Sequence, residues 1–455
     1  GNGCRITIRT LHLSNSSLHR VVIYTPYKWE HALVSLRLTR PLQQAGIELI
    51  RGNDGMDIHP ERVSQAEAVV LQREFPENLE VYEQILTLAR AEQKPVIYEI
   101  DDQLFELPEN HIDYPTHYYS PALFAMLRAV IEADLVTTTT FHLQKYLRRF
   151  NPQTILLPNY LDDSLWTLAQ PAPDTLAAPS TGDQVVIGYM GSDTHQPDLE
   201  TVTPLLAQLL ERYPDRLRLR FWCAQPPESL RSHPLVEWIP VSIPNYAEFA
   251  AYFSTQTCDF FIAPLIDSEF NRCKSSIKFL EYSALGIPGV YSRTAPYQAM
   301  VQEGRNGFLA TSDTEWEAHL TALIESAELR SHMGQQALHT VQQDWLLSQH
   351  ADEWLQAYQQ AWHTAHDQQA QQSRQVYLDV FIAIANQVRH WQNKIYNQVI
   401  ERDVTIQSLQ SQITEQVRLN TTLQAQAAES EGLVVKLMKR LDRKLLAAAR
   451  RLRKQ

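Results

Sequence analysis

FNRCKSSIKFLEYSALGIPGVY, residues Phe270 to Tyr291, decides how the chain is read. Small and basic residues come first: Asn271, Arg272, Lys274, Ser275 and Ser276. A helix-patterned run follows over Ile277, Phe279, Leu280 and Tyr282 to Leu285, and it stops at Gly286-Ile287-Pro288. Gly289-Val290-Tyr291 then reads as a strand. The stretch is therefore a loop, a helix, a glycine stop and a strand. Gly286 suits the left-handed residue after a helix end, and Pro288 keeps the helix from resuming. Backbone N–H groups at a helix start, with serine hydroxyls and lysines beside them, form a phosphate cradle. Lys278 and Glu281 are three apart and share a helix face. The cation there can reach a phosphate, and the carboxylate can accept from vicinal sugar hydroxyls. On periodicity alone, an ordinary surface helix with a Lys/Glu pair is the better reading.

The segment resembles the nucleotide-sugar site of retaining glycosyltransferases of the GT-B fold, in the large family 4 group. That group carries a pattern like K-x-x-E-Y-x-A-x-G-x-P-V, matched here by Lys278, Glu281, Tyr282, Ala284, Gly286 and Pro288. The resemblance implies that Glu281 holds the ribose hydroxyls of a nucleotide-sugar donor. Many members place another glutamate eight residues earlier, and here that position is Cys273. The donor-sugar contact normally made there is the point at which the chain departs from the pattern.

Length and composition bound the rest. A chain of 455 residues suggests two or three domains, and 44% hydrophobic residues are enough for cores. A formal net charge of −12 argues against generic nucleic-acid binding. Cys4, Cys223, Cys258 and Cys273 lie far apart, which fits free thiols in a reducing compartment and gives no zinc pattern. No run of about 18 apolar residues predicts a membrane span, and no secretory signal is visible. A cytoplasmic location, at the inner face of a membrane or free of it, is expected. The start at Gly1, with no initiator Met, reads as a processed or excised piece.

Around the opening segment, strands and helices alternate. Val21 to Tyr24 is a buried strand, then comes a helix patterned on Leu33, Leu36, Leu38, Leu42 and Ala45, then Gly46 and the strand Ile47 to Ile50. Ala68 to Leu71, the helix Val81 to Ala91 and Pro95 to Tyr98 repeat the pattern, and Arg5 to Arg9 alternates like an edge strand. Such alternation predicts a parallel, doubly wound sheet, whose ligands bind beyond the carboxyl ends of the strands. Attention falls on Asp101, Asp102, His111 and the loop around them, where paired carboxylates and histidines could orient or deprotonate a sugar hydroxyl. They could equally cap a turn. The run Y-E-I-D-D-x-L-F-x-L-P from Tyr98, followed by His111, resembles a signature of family 4 enzymes of surface-polysaccharide synthesis. The resemblance makes Asp101, Asp102 and His111 the acceptor-side, catalytic candidates. Arg37 and Arg73 read as solvated helix or loop charges.

The first domain is expected over 1–168, a Pro/Ala/Ser/Thr-rich linker over 169–182 and a second α/β domain over 183–345. The second opens with the strand Val185 to Gly191, whose terminal glycine permits close approach by a ligand. The run G-S-x-T-H-x-x-D-L from Gly191 again resembles the glycosyltransferase group and brings in Ser192 and His195. Members often place an arginine and a lysine on the diphosphate near here. This segment has neither, so Lys274, Lys278 or Arg272 is expected to supply that charge. Residues 346–370 resemble the terminal GT-B helices that cross back to the first domain.

Glycine and proline nearly vanish over 371–455. Counting heptads from Leu378 as position a gives a seam through Val388, Ile395, Val399, Ile406, Leu409, Ile413, Leu423, Leu437 and Leu441. It is apolar enough over 378–448 to predict a coiled coil and a homo-oligomer, with Asn420 at an a position fixing register. Ser430 and Gly432 suggest a break. Residues 436–455 are rich in Lys and Arg, interleaved with leucine and alanine, and could lie on an anionic membrane or meet acidic residues of a partner.

The expectation is thus an α/β protein of two doubly wound, Rossmann-like GT-B domains with a helical coiled-coil tail. It would move a sugar from a nucleotide diphosphate sugar to a saccharide or lipid-linked saccharide. The resemblance adds retention, metal independence and no cofactor beyond the donor as co-substrate. Gly191, Ser192, His195, Lys274, Ser275, Ser276, Lys278 and Glu281 are the donor-binding candidates. A catalytically inactive relic acting as a coiled-coil scaffold, or a nucleotide-sugar epimerase of the same fold, are the rival readings.

Overall fold

Two six-stranded parallel sheets carry the chain between Arg20 and Ala310. The computed structural model describes residues 18–77, 79–169, 184–365 and 368–452. The expected edge strand Arg5 to Arg9, and the linker beyond Ala169, lie outside the described residues.

The first sheet contains β1 (Arg20–Tyr24), β2 (Glu48–Arg51), β3 (Ala68–Gln72), β4 (Val96–Glu99), β5 (Leu135–Thr138) and β6 (Thr154–Leu156). Their spatial order is β2-β1-β3-β4-β5-β6. The second contains β7 (Val185–Gly191), β8 (Leu217–Cys223), β9 (Val236–Ile239), β10 (Phe260–Ala263), β11 (Gly289–Ser292) and β12 (Phe308–Ala310), ordered β9-β8-β7-β10-β11-β12. Each order reverses once, between β1 and β3 and between β7 and β10. At such a point neighbouring connections leave on opposite faces of the sheet, opening a crevice above the carboxyl ends. The strands are apolar runs because helices cover both faces: Val21 to Tyr24 and Ala68 to Gln72 are buried throughout.

The helix after β1 is interrupted. Ala32–Val34 is α-helical, Ser35–Thr39 forms a π turn, and Arg40–Gln44 returns to α before Gly46 closes it at φ +79°. The π turn carries Arg37 inward, and here the expectation of a solvated charge fails. Arg37 is 1% exposed, and its Nε donates to Glu99 Oε1 at 2.7 Å. Its Nη1 donates to Leu157 O at 2.7 Å and to Asn159 Oδ1 at 3.0 Å. Arg73 is also buried and ion-paired. A guanidinium is tolerated in a core only with its donors satisfied by charged or carbonyl partners. Arg37 meets that condition through residues distant in sequence, and Arg73 through Asp101, Tyr119 and its neighbour Glu74.

The helix Asp352–Ala365 lays Trp354, Ala357, Tyr358 and Ala361 into the core beneath the first sheet, and Trp354 Nε1 donates to Arg37 O at 2.9 Å. The chain thus packs its last globular helix on the domain it began with.

Residues 380–455 form a second unit. One helix runs from Gln368 to Leu452, and it does not break at Ser430 or Gly432. A single helical glycine costs about 1 kcal/mol, which the flanking helix formers, free of proline, absorb. On this helix the seam residues Ile395, Val399, Ile406, Leu409, Ile413 and Leu423 are each roughly half exposed. Among the described residues, no helix is long and apolar enough to cross a membrane.

Candidate functional site

The crevice between β7 and β10 is lined from three directions. β7 ends at Gly191, and the chain turns through Ser192 into a short 3-10 turn, Asp193–His195, and the helix Gln196–Glu200. From β10 the chain passes through Pro264 and Leu265 to the helix Glu269–Arg272 and then to Ile277–Ala284, as the opening sequence segment predicts. Gly286 ends that helix at φ +67°. Gly191 has a specific reason to be glycine. A Cβ there would lie 2.6 Å from the Tyr189 hydroxyl and 3.2 Å from Lys278 Cε, so the lysine stem packs directly over it.

Asp198 is the anchor that the sequence reading passed over. It is 4% exposed; Oδ1 accepts from Ile266 N at 2.8 Å and from Asn271 Nδ2 at 3.1 Å. Its Oδ2 lies 2.8 Å from His195 Nδ1. The carboxylate thereby ties the loop after β7 to the loop after β10. It also fixes the imidazole with its proton on Nδ1, which leaves Nε2 as an acceptor. Burial, then the Lys278 and Lys274 cations, hold His195 well below the ordinary histidine range, so it is neutral at pH 7.

Ser276 caps the helix Ile277–Ala284 without a side-chain bond, and the amides of Ser275 and Ser276 have no partner among the described residues. Burial, with Lys274 nearby, lowers Lys278 to about 8, against the pull of Glu281. Glu281 is 5% exposed, and burial raises it to about 7 against the pull of Lys278 and a hydrogen bond from Tyr246. Free amides, a cation, a neutral imidazole and a carboxylate near its ionisation point therefore share one crevice. Ser192 is exposed at its rim, with its hydroxyl 2.5 Å from that of Thr194.

The first domain faces this crevice with its own strand ends. Lys274 Nζ lies 3.9 Å from Asp102 Oδ1 and 4.6 Å from the Phe270 ring centroid. His111 stands edge-on to Phe270 at 5.3 Å, its ionisation held down by burial and by Lys274. The structure thus brings Asp102, His111 and Lys274 together. Asp101 is committed differently: Arg73 Nη1 donates to its Oδ1 at 2.7 Å, and the guanidinium also reaches the Tyr119 hydroxyl at 3.0 Å. Arg73 adopts φ +50°, rare for a residue with a side chain, directly after β3. Arg272 turns away and pairs with Asp267 and Glu269 at the surface.

Cys273 is taken up by packing. It is 4% exposed and packs into the core of the first domain, and its backbone carbonyl accepts from Thr140 Oγ1 at 2.9 Å. The apolar thiol docks the two domains where the group's pattern would have a carboxylate. Asn159 adds a second tie, donating from Nδ2 to Ser275 Oγ at 3.1 Å while its Oδ1 accepts from Arg37.

Two parallel, Rossmann-like domains facing each other across such a crevice recur in solved structures. Sucrose-phosphate synthase from Thermosynechococcus elongatus superposes with a TM-score of 0.55 at 13% identity, over 75% of this chain and 98% of that one. HepE from Anabaena, in complex with UDP-glucose, gives 0.50 at 13% identity over 75% and 100%. A glycosyltransferase from Rickettsia africae gives 0.50 at 11% over 76% and 99%. The fold is GT-B. Residues 204–356 match the model of the family described as Glycosyl transferase-like, so the chain carries a glycosyltransferase-like domain. No curated protein sequence matches the chain. In this GT-B frame Gly191, His195, Lys278 and Glu281 lie at the topological switch of the second domain, and Asp102 and His111 face Lys274 and Phe270 from the first. The matched segment contains Lys274, Ser275, Ser276, Lys278 and Glu281 but begins after Gly191, Ser192, His195 and Asp198.

Proposed function

We propose that the chain is a glycosyltransferase of the retaining family 4 type. It would take a nucleotide diphosphate sugar in the second-domain crevice and pass the sugar to a saccharide or lipid-linked saccharide entering from the first domain. One observation carries this reading: Lys278, the free amides of Ser275 and Ser276, neutral His195 and buried Glu281 converge above the β7/β10 switch.

The chemistry follows from charge. As the glycosidic bond breaks, negative charge grows on the diphosphate. Lys278 and the two amides are fixed donors toward that charge, and Lys274 adds a second cation in place of a metal. Gly191 leaves room for the Lys278 stem that carries the ammonium toward the phosphates. Glu281 Oε2, without a partner among the described residues, accepts from the ribose hydroxyls. Neutral His195 accepts through Nε2 from a hydroxyl of the transferred sugar. The acceptor hydroxyl arrives beside Asp102 and His111, and Asp101, held by Arg73, shapes that wall. Burial between the domains keeps water from competing for the donor. Retention is implied by the family 4 resemblance, and a UDP-sugar donor is in keeping with the ligand named for HepE.

The test is turnover. The full chain is incubated with UDP-, GDP- and ADP-sugars, with and without oligosaccharide acceptors. Release of nucleoside diphosphate that disappears in Glu281→Ala, at unchanged circular dichroism, supports the reading. No turnover and no nucleotide binding across the panel would leave a scaffold.

The tail extends the proposal. The half-exposed heptad seam through Ile395, Val399, Ile406, Leu409, Ile413 and Leu423 fits a second copy of the helix. β-branched a residues Val399, Ile406 and Ile413 favour two strands, and Asn420 favours an in-register pair. Beyond it, Lys436, Lys439, Arg440, Arg443 and Lys444 alternate with half-exposed Leu437, Met438 and Leu441, which suits the inner, anionic face of a cytoplasmic membrane.

A further inference from the structure

Tyr246 opens the helix Tyr246–Phe253 and is 3% exposed. Its hydroxyl lies 3.3 Å from Glu281 Oε1, and Trp166 Nε1 donates to the phenol oxygen at 3.1 Å. An indole N–H can only donate, so it occupies the phenol oxygen as an acceptor and leaves the phenol proton to point at the carboxylate. Trp166 is itself buried, with its ring edge-on to Phe249 and Phe253. The turn that carries the phenol is pinned from the facing domain. Tyr246 N donates to Glu30 O at 2.8 Å, and Asn245, whose Oδ1 caps the helix, forms a bridge with His31.

We propose that Tyr246 is a positioning residue: it directs one hydrogen bond at Glu281 Oε1, which fixes the carboxylate plane and leaves Oε2 for the nucleotide ribose. The positioning stands on the hydrogen bonds alone; its consequence for the nucleotide rests on the function proposed above.

The other groups that face Glu281 define what the phenol adds. Lys278 on its own helix attracts it. Burial and then the Glu281 charge push up Cys223 from β8, and burial, the Asp198 charge and then the Glu281 charge push up Tyr297 from the helix Ala295–Gln298. Among these neighbours only Lys278 and Tyr246 favour the ionised carboxylate, against the dominant effect of burial. Removing the phenol proton leaves Lys278 alone. A hydrogen bond to a charged group, taken at the weak end of its range because 3.3 Å is long for O–H···O, corresponds to about one pKa unit, or tenfold in the ionisation constant.

The experiment uses the ligand-free full chain and Tyr246→Phe, titrated from pH 5 to 10 by infrared difference spectroscopy. Glu281→Gln serves as the blank that assigns the protonated carboxyl band. The expected result is a Glu281 midpoint about tenfold lower in ionisation constant in Tyr246→Phe than in the wild type, with circular dichroism unchanged. Equal midpoints overturn the proposal. UDP titrations then follow the consequence. Affinity falls about fivefold at pH 7, where the wild type is half ionised, and returns to the wild-type value at pH 9. A loss of equal size at both pH values also overturns it, because a contact rather than ionisation would then be missing. Failure of UDP to bind the wild type would count against the donor site, while the infrared midpoints still decide the role of Tyr246.

Discussion

Replacing Glu281 by glutamine should stabilise the protein at high pH while abolishing its grip on a nucleotide. Burial moves this carboxyl from 4.5 to about 7. A carboxylate whose ionisation point is raised by folding costs nothing below its unfolded value, costs progressively more as pH rises, and costs the full amount above its folded value. Removing it returns about 1 kcal/mol at pH 5 and about 3 kcal/mol at pH 8.5. Lys278 enters only through its attraction to Glu281. Its value is lowered from 10.5 to about 8, so its buried charge is costly below pH 8 and absent above 10.5. Glu281 offsets that cost only where it is ionised, near and above pH 7, and this attraction is already contained in its value of about 7. The variant therefore fares better, relative to the wild type, as pH rises. For a domain of this size 3 kcal/mol corresponds to roughly 5–10 °C in Tm. Scanning calorimetry at pH 5, 7 and 8.5 on both proteins gives the comparison. A Tm difference that is flat, or that shrinks with rising pH, would refute the claim that Glu281 is a buried, destabilising carboxylate kept for function.

Lys278→Met should leave the fold intact and weaken nucleoside diphosphate binding by at least about tenfold, since it removes a charge-assisted contact worth roughly 1.5–3 kcal/mol; calorimetric titration reads this directly. Arg37→Met should cost about 3–5 kcal/mol by leaving Glu99 buried and unpaired, and Arg37→Met/Glu99→Gln should recover most of it in a denaturant titration. A chain ending at residue 379 should sediment as a monomer where the full chain is a dimer, and Asn420→Ile in the full chain should raise thermal stability while admitting other oligomeric states. If the full chain is already monomeric, the tail does not pair with itself.

Much of this was legible in the sequence because it is local. Period-two and apolar runs gave the strands, Gly46 and Gly286 mark helix ends at positive φ, and a three-residue spacing puts Lys278 and Glu281 on one helix face. What stayed hidden depends on contacts between distant residues. Nothing near Arg37 shows that Glu99, 62 positions away, and Asn159, 122 away, will neutralise and surround it. The aspartate of T-H-x-x-D was visible, but its role in joining two loops appears only when Ile266 and Asn271 are beside it. Cys273 looked like a lost site residue, and only the packing turns it toward the first domain's core. Tyr246, in an unremarkable apolar helix, gave no local signal at all. The predicted break at Ser430–Gly432 failed for the opposite reason, since local propensity was overridden by the long helix around it.

A crystal structure of the chain with a bound nucleoside diphosphate is the most direct measurement. The account expects the ribose hydroxyls on Glu281 Oε2 and the phosphates on Lys278 and the amides of Ser275 and Ser276. A nucleotide lodged elsewhere, with Lys278 and Glu281 untouched, would contradict it.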